Sequence, residues 1–118
     1  MTSDGDALRI DHLRQGNACV VIPTGRIDST NAGRLLDTLR ALGGSAGNHL
    51  VVDLSAVLYL TSAAFRVLLV ASDETEGKAG RFILCGLAGH VRELFEMGGL
   101  LEAFAVQGTR EAALAALD

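Results

Sequence analysis

An α/β domain built on a partly parallel sheet is the fold class this sequence predicts, and three observations predict it. Short apolar runs rich in β-branched residues, such as Leu50-Val51-Val52-Asp53-Leu54, alternate with segments whose apolar residues recur at helical spacing. The first helical segment comes only after two strand-like runs joined by the short turn Gln15-Gly16-Asn17. The chain has 118 residues, 49% of them hydrophobic and 20% charged. That length holds one core, and such a chain buries roughly two thirds of the surface it exposes when unfolded. A single domain is expected over residues 1–118, with its core from about 8 to 117.

The elements follow in order. Leu8 to Leu13 reads as a first strand, and Ala18-Cys19-Val20-Val21-Ile22 as a second, antiparallel to it. Pro23 has no N–H to give a ladder, so it is expected at the end of the second strand or on an edge, and Gly25 then turns the chain. Ala32, Leu35, Leu36, Leu39 and Leu42 share one face of a helix from Asp28 to Leu42, with Asp28, Ser29 and Thr30 as start caps and Gly43-Gly44 as its stop. Leu50 to Leu54 is near-continuously apolar, as an interior strand covered on both faces should be. A second helix runs from Thr61 to about Glu76, with Ala64, Phe65, Leu68, Leu69 and Ser72 on one side; Gly77 ends it. Each of these two helices carries one apolar stripe and needs only one sheet face. Arg81 to Cys85 is a further strand, and Ala88 to Met97 a third helix carrying Val91, Leu94 and Phe95 and stopped by Gly98-Gly99. Ala103 to Val106 makes a last strand, and Thr109 caps an Ala-rich helix from Arg110 to Leu117. The order is ββαβαβαβα: a mixed sheet of about five strands with about four helices, its parallel part built from crossovers.

Composition excludes several functions. The net charge is −4, and the bases, all Arg except Lys78, are scattered from Arg9 to Arg110 with no basic stripe, which argues against nucleic acid. Cys19, Cys85, His12, His49 and His90 form no CxxC, HExxH or zinc-ligand spacing, so neither a disulfide scaffold nor a structural metal is expected, and no cofactor. The apolar runs Ala56 to Leu60 and Val67 to Ala71 are far short of a bilayer span, and Met1 to Asp6 lacks the shape of a signal peptide; a cytoplasmic protein without membrane insertion is expected. Gly77-Lys78 is followed by Ala79, so no P-loop exists. Gly43-Gly44-Ser45-Ala46-Gly47 leads into a strand, which makes it a helix stop and turn and not a phosphate cradle.

Three further groups have plain readings. His90 and Glu93 sit three apart on a helix but lack a third ligand, and read as surface residues. Asp73, Glu74 and Glu76 lie near a helix C-terminus, where the macrodipole disfavours acids; a solvated end is the plain reading and partner docking the alternative. Cys19 and Cys85 fall inside apolar strands, where thiols are packing groups.

Ser62 is the informative hydroxyl. With Thr61 as N-cap it stands at the first helical position. No GxSxG surrounds it and no base is indicated, so it fails as a nucleophile, and no catalytic residue is expected anywhere. A phosphoryl group on it would instead sit where the dipole and free backbone N–H groups favour negative charge. The alternative is an ordinary helix-start serine.

Gly25-Arg26-Ile27-Asp28, then Val51-Val52-Asp53-Leu54-Ser55 running into Tyr59-Leu60-Thr61-Ser62, and finally Leu94-Phe95-Glu96-Met97-Gly98-Gly99-Leu100, together resemble the STAS domain of anti-sigma factor antagonists from about Ala18 to Leu117. The resemblance implies a STAS-like fold and a bacterial, cytoplasmic regulator of transcription that binds an anti-sigma factor with serine-kinase activity. It also implies phosphorylation at Ser62, reversed by a serine phosphatase, and a partner surface that includes Asp28, Ser29, Thr30, Thr61, Ser62, Ala64, Phe65 and Arg66. The family pattern D-S-[ST]-G-L reads Thr61-Ser62-Ala63-Ala64-Phe65 here. Thr for Asp removes a charge, and Ala for Gly stiffens a helical turn by up to about 1 kcal/mol. That altered frame supports a second reading, a STAS scaffold or accessory subunit of a signalling assembly or lipid transporter that never uses phosphorylation. A third, a small enzyme or nucleotide-binding module, rests only on Ser62 and the glycine-rich turns.

Overall fold

The expected hairpin opens the sheet in the computed structural model, which describes residues 7–43 and 47–117. Strands β1 (Leu8–Gln15) and β2 (Ala18–Ile27) pair antiparallel along their length, from Leu8 opposite Gly25 to Gln15 opposite Ala18. There follow α1 (Ala32–Leu42), β3 (His49–Asp53), β4 (Val57–Leu60), α2 (Ser62–Gly77), β5 (Phe82–Cys85), α3 (Gly89–Met97), β6 (Ala105–Gln107) and α4 (Arg110–Ala115). A 3₁₀ turn at Leu100–Glu102 precedes β6. Strands β2, β3, β5 and β6 are mutually parallel neighbours, so the sheet runs β1-β2-β3-β5-β6 with β4 also on β2. This is the mixed α/β sheet the sequence predicts. The acidic start Met1 to Asp6 and the turn residues Gly44-Ser45-Ala46 lie outside the described residues.

The sheet has one strand more than the five expected, and the reason lies in β2. Ala18–Val21 pairs with β3, whereas Gly25–Ile27 pairs with β4. The short apolar run Val57–Leu60, which looks like a lead-in to a helix, is therefore a strand of its own. Pro23 is buried inside β2, not at its end or on an edge, in the interval between the two parallel partners. Its missing N–H thus falls where no parallel ladder bond is made. Helix α1 starts at Ala32 and not at Asp28, because the preceding residues are held in a turn described below.

Alternation along the strands divides the core. Cys19, Val21, Leu50, Val52, Phe82 and Leu84 face α1, α2 and α3, where they meet Leu35, Leu39, Leu68, Val91 and Phe95. Phe65, Phe95 and Phe104 stack edge-on in sequence, with centroids 5.0 and 5.9 Å apart. Ala18, Val20, Val51, Ile83 and Cys85 face the other way, where α4 supplies Ala113. Interior strands β3 and β5 are thus covered on both sides, and each fully buried Leu, Ile or Phe contributes roughly 1.5–3 kcal/mol.

Helices α1 and α2 are also tied at the surface, where Arg40 forks onto Glu74 through Nε–Oε1 (2.9 Å) and Nη2–Oε2 (2.7 Å). Glu74 is therefore not simply part of a solvated acidic end; it is a partner of α1, and the Arg40 hydrogen bond holds its carboxyl below the usual range. Both cysteines are buried and free. Burial, with the Asp53 charge adding to it, pushes the Cys85 thiol up to about 12, and burial likewise raises Cys19 against a smaller opposing effect of Arg14. Among the described residues no helix is long and apolar enough to cross a membrane.

Candidate functional site

Parallel strands release their following loops at the same end of a sheet, and β2 and β4 do so here with Ile27 opposite Leu60. Residues 28–31 after β2 and residues 61–62 after β4 consequently lie side by side. The Thr61 amide donates to the Ile27 carbonyl at 3.1 Å and joins the two loops directly.

The first loop is held by its own side chains. Asp28 Oδ1 accepts from the Thr30 hydroxyl and, at 2.9 Å, from the Thr30 amide. Buried Asn31 closes the turn from the other side: its Oδ1 accepts from the Asp28 amide at 2.9 Å and its Nδ2 donates to the Arg26 carbonyl at 3.0 Å. Thus Asp28, Ser29 and Thr30 do not cap α1 as expected; they form an Asx turn, and Asn31 takes the N-cap position. The Thr30 hydroxyl, then the Thr30 amide, hold the Asp28 carboxyl below the usual range, so a fixed negative charge stands at this loop at neutral pH.

The second loop starts α2. Thr61 has the extended backbone of an N-cap (φ −107°, ψ 178°), and its carbonyl accepts from the amides of Ala64 (2.9 Å) and Phe65 (3.3 Å). Its hydroxyl does not cap the helix as expected; Oγ1 is buried and has no hydrogen-bond partner. Ser62 stands at the first helical position, exposed. The first turn of α2 contains no acidic residue, so no side chain there offsets the positive end of the helix dipole.

Of the residues expected to face a partner, Ser29, Thr30, Ser62 and Arg66 are exposed, and Asp28 and Thr61 are partly so. Ala64 is a correction: it is fully buried, because it lies on the face of α2 that packs into the core, and it offers a partner no side-chain surface. Phe65 is half-buried and spends its ring on Phe95.

Sequence reasoning missed a neighbouring cluster. The register of β4 slips so that Gly25 is opposite Val57 but Arg26 is opposite Tyr59. Leu58 is the residue left over in this bulge, and its side chain is 72% exposed. Tyr59 lies flat against His90 of α3, centroids 5.5 Å apart and planes 7° off parallel, while the Arg26 guanidinium carbon is 5.8 Å from the same tyrosine ring. His90 Nδ1 is also 3.7 Å from Glu93 Oε1. The one signal in the sequence was the lone tyrosine beside an arginine-bearing strand end; a bulge has no sequence signature here. Among the described residues no group of three His, Cys, Asp or Glu side chains is placed to hold a metal ion.

The family model described as the STAS domain matches residues 9–113. A putative anti-sigma factor antagonist of Bordetella bronchiseptica, BtrV, is 39% identical over 92 residues, which cover 78% of this chain and 79% of that protein. The crystal structure of an anti-sigma factor antagonist from Mycobacterium paratuberculosis superposes with a TM-score of 0.84 at 26% identity, covering 94% of each chain. The Bacillus cell-fate determinant SpoIIAA in its phosphorylated form superposes with a TM-score of 0.69 at 18% identity, over 95% of this chain and 100% of that one.

Proposed function

The chain belongs to the STAS domain family, and on that premise we propose that it acts as an anti-sigma factor antagonist whose partner docks over the paired loops 28–30 and 61–62 and is released when Ser62 is phosphorylated. The observation that carries this reading is the position of Ser62: exposed, first in α2, and beside a loop whose shape is held by Asp28. Two of the similar proteins are named as anti-sigma factor antagonists, and the third has been solved phosphorylated.

The chemistry asks little of this chain. An anti-sigma factor with serine-kinase activity supplies ATP and catalytic base; a bond forms between Ser62 Oγ and the γ-phosphorus as the bond from that phosphorus to the β–γ bridging oxygen breaks, ADP leaves, and the hydroxyl proton passes to the partner's base. The product carries about −1.5 to −2 charges at neutral pH. That charge stands near the ionised Asp28, and burying both against a surface fitted to a neutral serine opposes docking. A loss of roughly 3 kcal/mol weakens a complex more than a hundredfold. A serine phosphatase restores the neutral hydroxyl. The transcriptional consequence is release or capture of a sigma factor by the partner.

The test is native co-purification followed by intact mass with and without phosphatase, and calorimetry on two variants. Ser62→Asp is expected to weaken the complex and Ser62→Ala to retain it. Undiminished binding by Ser62→Asp, or a phosphate mapped to another residue, overturns the reading. The frame Thr61-Ser62-Ala63-Ala64, with its buried Ala64 and orphaned Thr61 hydroxyl, favours the second reading of a phosphorylation-independent scaffold. Recovery of transporter or signalling subunits without a kinase-like protein would support it.

A further inference from the structure

We propose that α4 is a releasable clasp on the sheet face opposite α2, latched by the ion pair between Arg110 and Asp53 and able to lift while the rest of the domain stays folded.

Asp53 ends β3 and is buried. Its Oδ1 accepts from the Ser55 amide at 3.0 Å, and its Oδ2 receives both Nε (3.1 Å) and Nη2 (3.0 Å) of Arg110, the first residue of α4. Gly86 leaves room for this carboxylate, since a Cβ there would stand 2.6 Å from Oδ1. Asp53-Leu54-Ser55 is thus a motif with a structural partner far along the chain, and its role lies outside the paired loops.

Apart from the latch, α4 is held by the apolar sheet residues it covers, and few of its own side chains are buried. It is six residues long, a length at which an isolated helix does not persist in water. It buries one side chain fully, Ala113, while its Leu114, and Leu117 just past its end, are only half-covered. Two open clefts adjoin it. One, of about 300 Å³, is lined by Asp53, Ser55, Gly86, Gly108 and Arg110; the other, of about 400 Å³, by Gln15, Gly16, Asn17, Leu114 and Ala115. Exposed Gly108 separates β6 from the Thr109 cap and offers a hinge. When Arg110 departs, Asp53 keeps Ser55 but loses its only cation among the described residues, so loss of this contact lowers the closed population. Lifting α4 uncovers Val20, Val51, Ile83 and Cys85.

Cys85 is the reporter, because it is fully buried under α4 while Cys19 faces the opposite layer. In the full chain carrying Cys19→Ala, labelling of Cys85 by a small maleimide is followed at increasing urea concentrations below the unfolding transition. The expected result is labelling through an opening that depends weakly on urea, accelerated about tenfold to a hundredfold by Arg110→Ala while its urea dependence stays well below that of global unfolding. The double change Asp53→Asn with Arg110→Met leaves no unpaired charge, and it accelerates labelling too. Arg40→Ala, which breaks the fork between α1 and α2, leaves the rate unchanged. Labelling that follows global unfolding with the full urea dependence in every variant overturns the proposal, as does a rate that is the same with and without Arg110.

Discussion

On one face of the sheet three helices bury Leu35, Leu39, Leu68, Val91 and Phe95 against β2, β3 and β5; on the other a six-residue helix buries Ala113 and leaves Leu114 half-covered. The first face is held by many apolar contacts, and it carries the loops at Asp28 and Ser62. The second is held by few apolar contacts and one ion pair. Nonpolar packing spread over many residues gives a rigid platform for a docking surface, whereas a face covered by one short helix and latched by a single ion pair can open locally at a fraction of the global stability.

The largest effect should come from the packed face. Phe95→Ala removes the ring shared by Phe65 and Phe104 and is expected to lose about 3–5 kcal/mol of unfolding free energy in urea. Leu114→Ala on the other face should lose under about 1 kcal/mol, since that side chain is only partly covered. Equal losses would break the contrast.

Ser62→Asp sharpens it from the functional side. Partner affinity should fall by roughly a hundredfold, about 3 kcal/mol by calorimetry. Stability should stay within about 0.5 kcal/mol of the parent, because an exposed acid at a helix start does no structural harm. A comparable loss of stability would mean the variant reports on folding and not on docking.

Gly86→Ala tests the second face. Gly86 has φ of 76°, and the added methyl would press on Asp53 Oδ1, so a loss of more than about 1 kcal/mol is expected by denaturation, together with faster hydrogen exchange at the Ala113 amide.

Acid should weaken the same face. Burial alone would raise the Asp53 carboxyl, but hydrogen bonds from Ser55 and from Arg110, with the Arg110 charge, outweigh it and leave the group below the usual range. A carboxyl depressed in the folded state contributes stability that is complete above the unfolded value, near pH 4, and is lost as pH falls through the lower folded value. Stability of the parent should therefore drop more steeply below about pH 4 than that of Asp53→Asn. Parallel profiles would remove Asp53 from the account. The smallest change of the set is expected for Glu74→Gln, at an ion pair whose side chains are both well exposed.

How much of this was legible differs by element. Helical spacing of Leu35, Leu39 and Leu42 and the near-continuous Val51-Val52 run disclosed α1 and β3, because burial on one stripe or on both faces imprints directly on residue order. The Thr109 cap was legible as well, its Oγ1 accepting from the Ala112 amide at 3.0 Å. Thr61 shows the limit of the same rule: an identical residue type at an equivalent position leaves its hydroxyl unpartnered in the interior. Strand β4 and the interior place of Pro23 were hidden, since both follow from β2 changing partners along its length. The stack of Tyr59 on His90 joins a strand to a helix thirty-odd positions later and leaves no periodic trace.

Periodicity, turn residues and charge settled the α/β class, the near-complete order of elements, and the place of Ser62 at a helix start, for these act between residues a few positions apart. Tertiary structure alone decided that Ile27 and Leu60 end side by side, that the Thr61 hydroxyl is buried without a partner, and that Asp53 meets Arg110. Those outcomes depend on strand pairing and burial among residues distant in sequence, where the free energy belongs to the assembled sheet and not to any local segment.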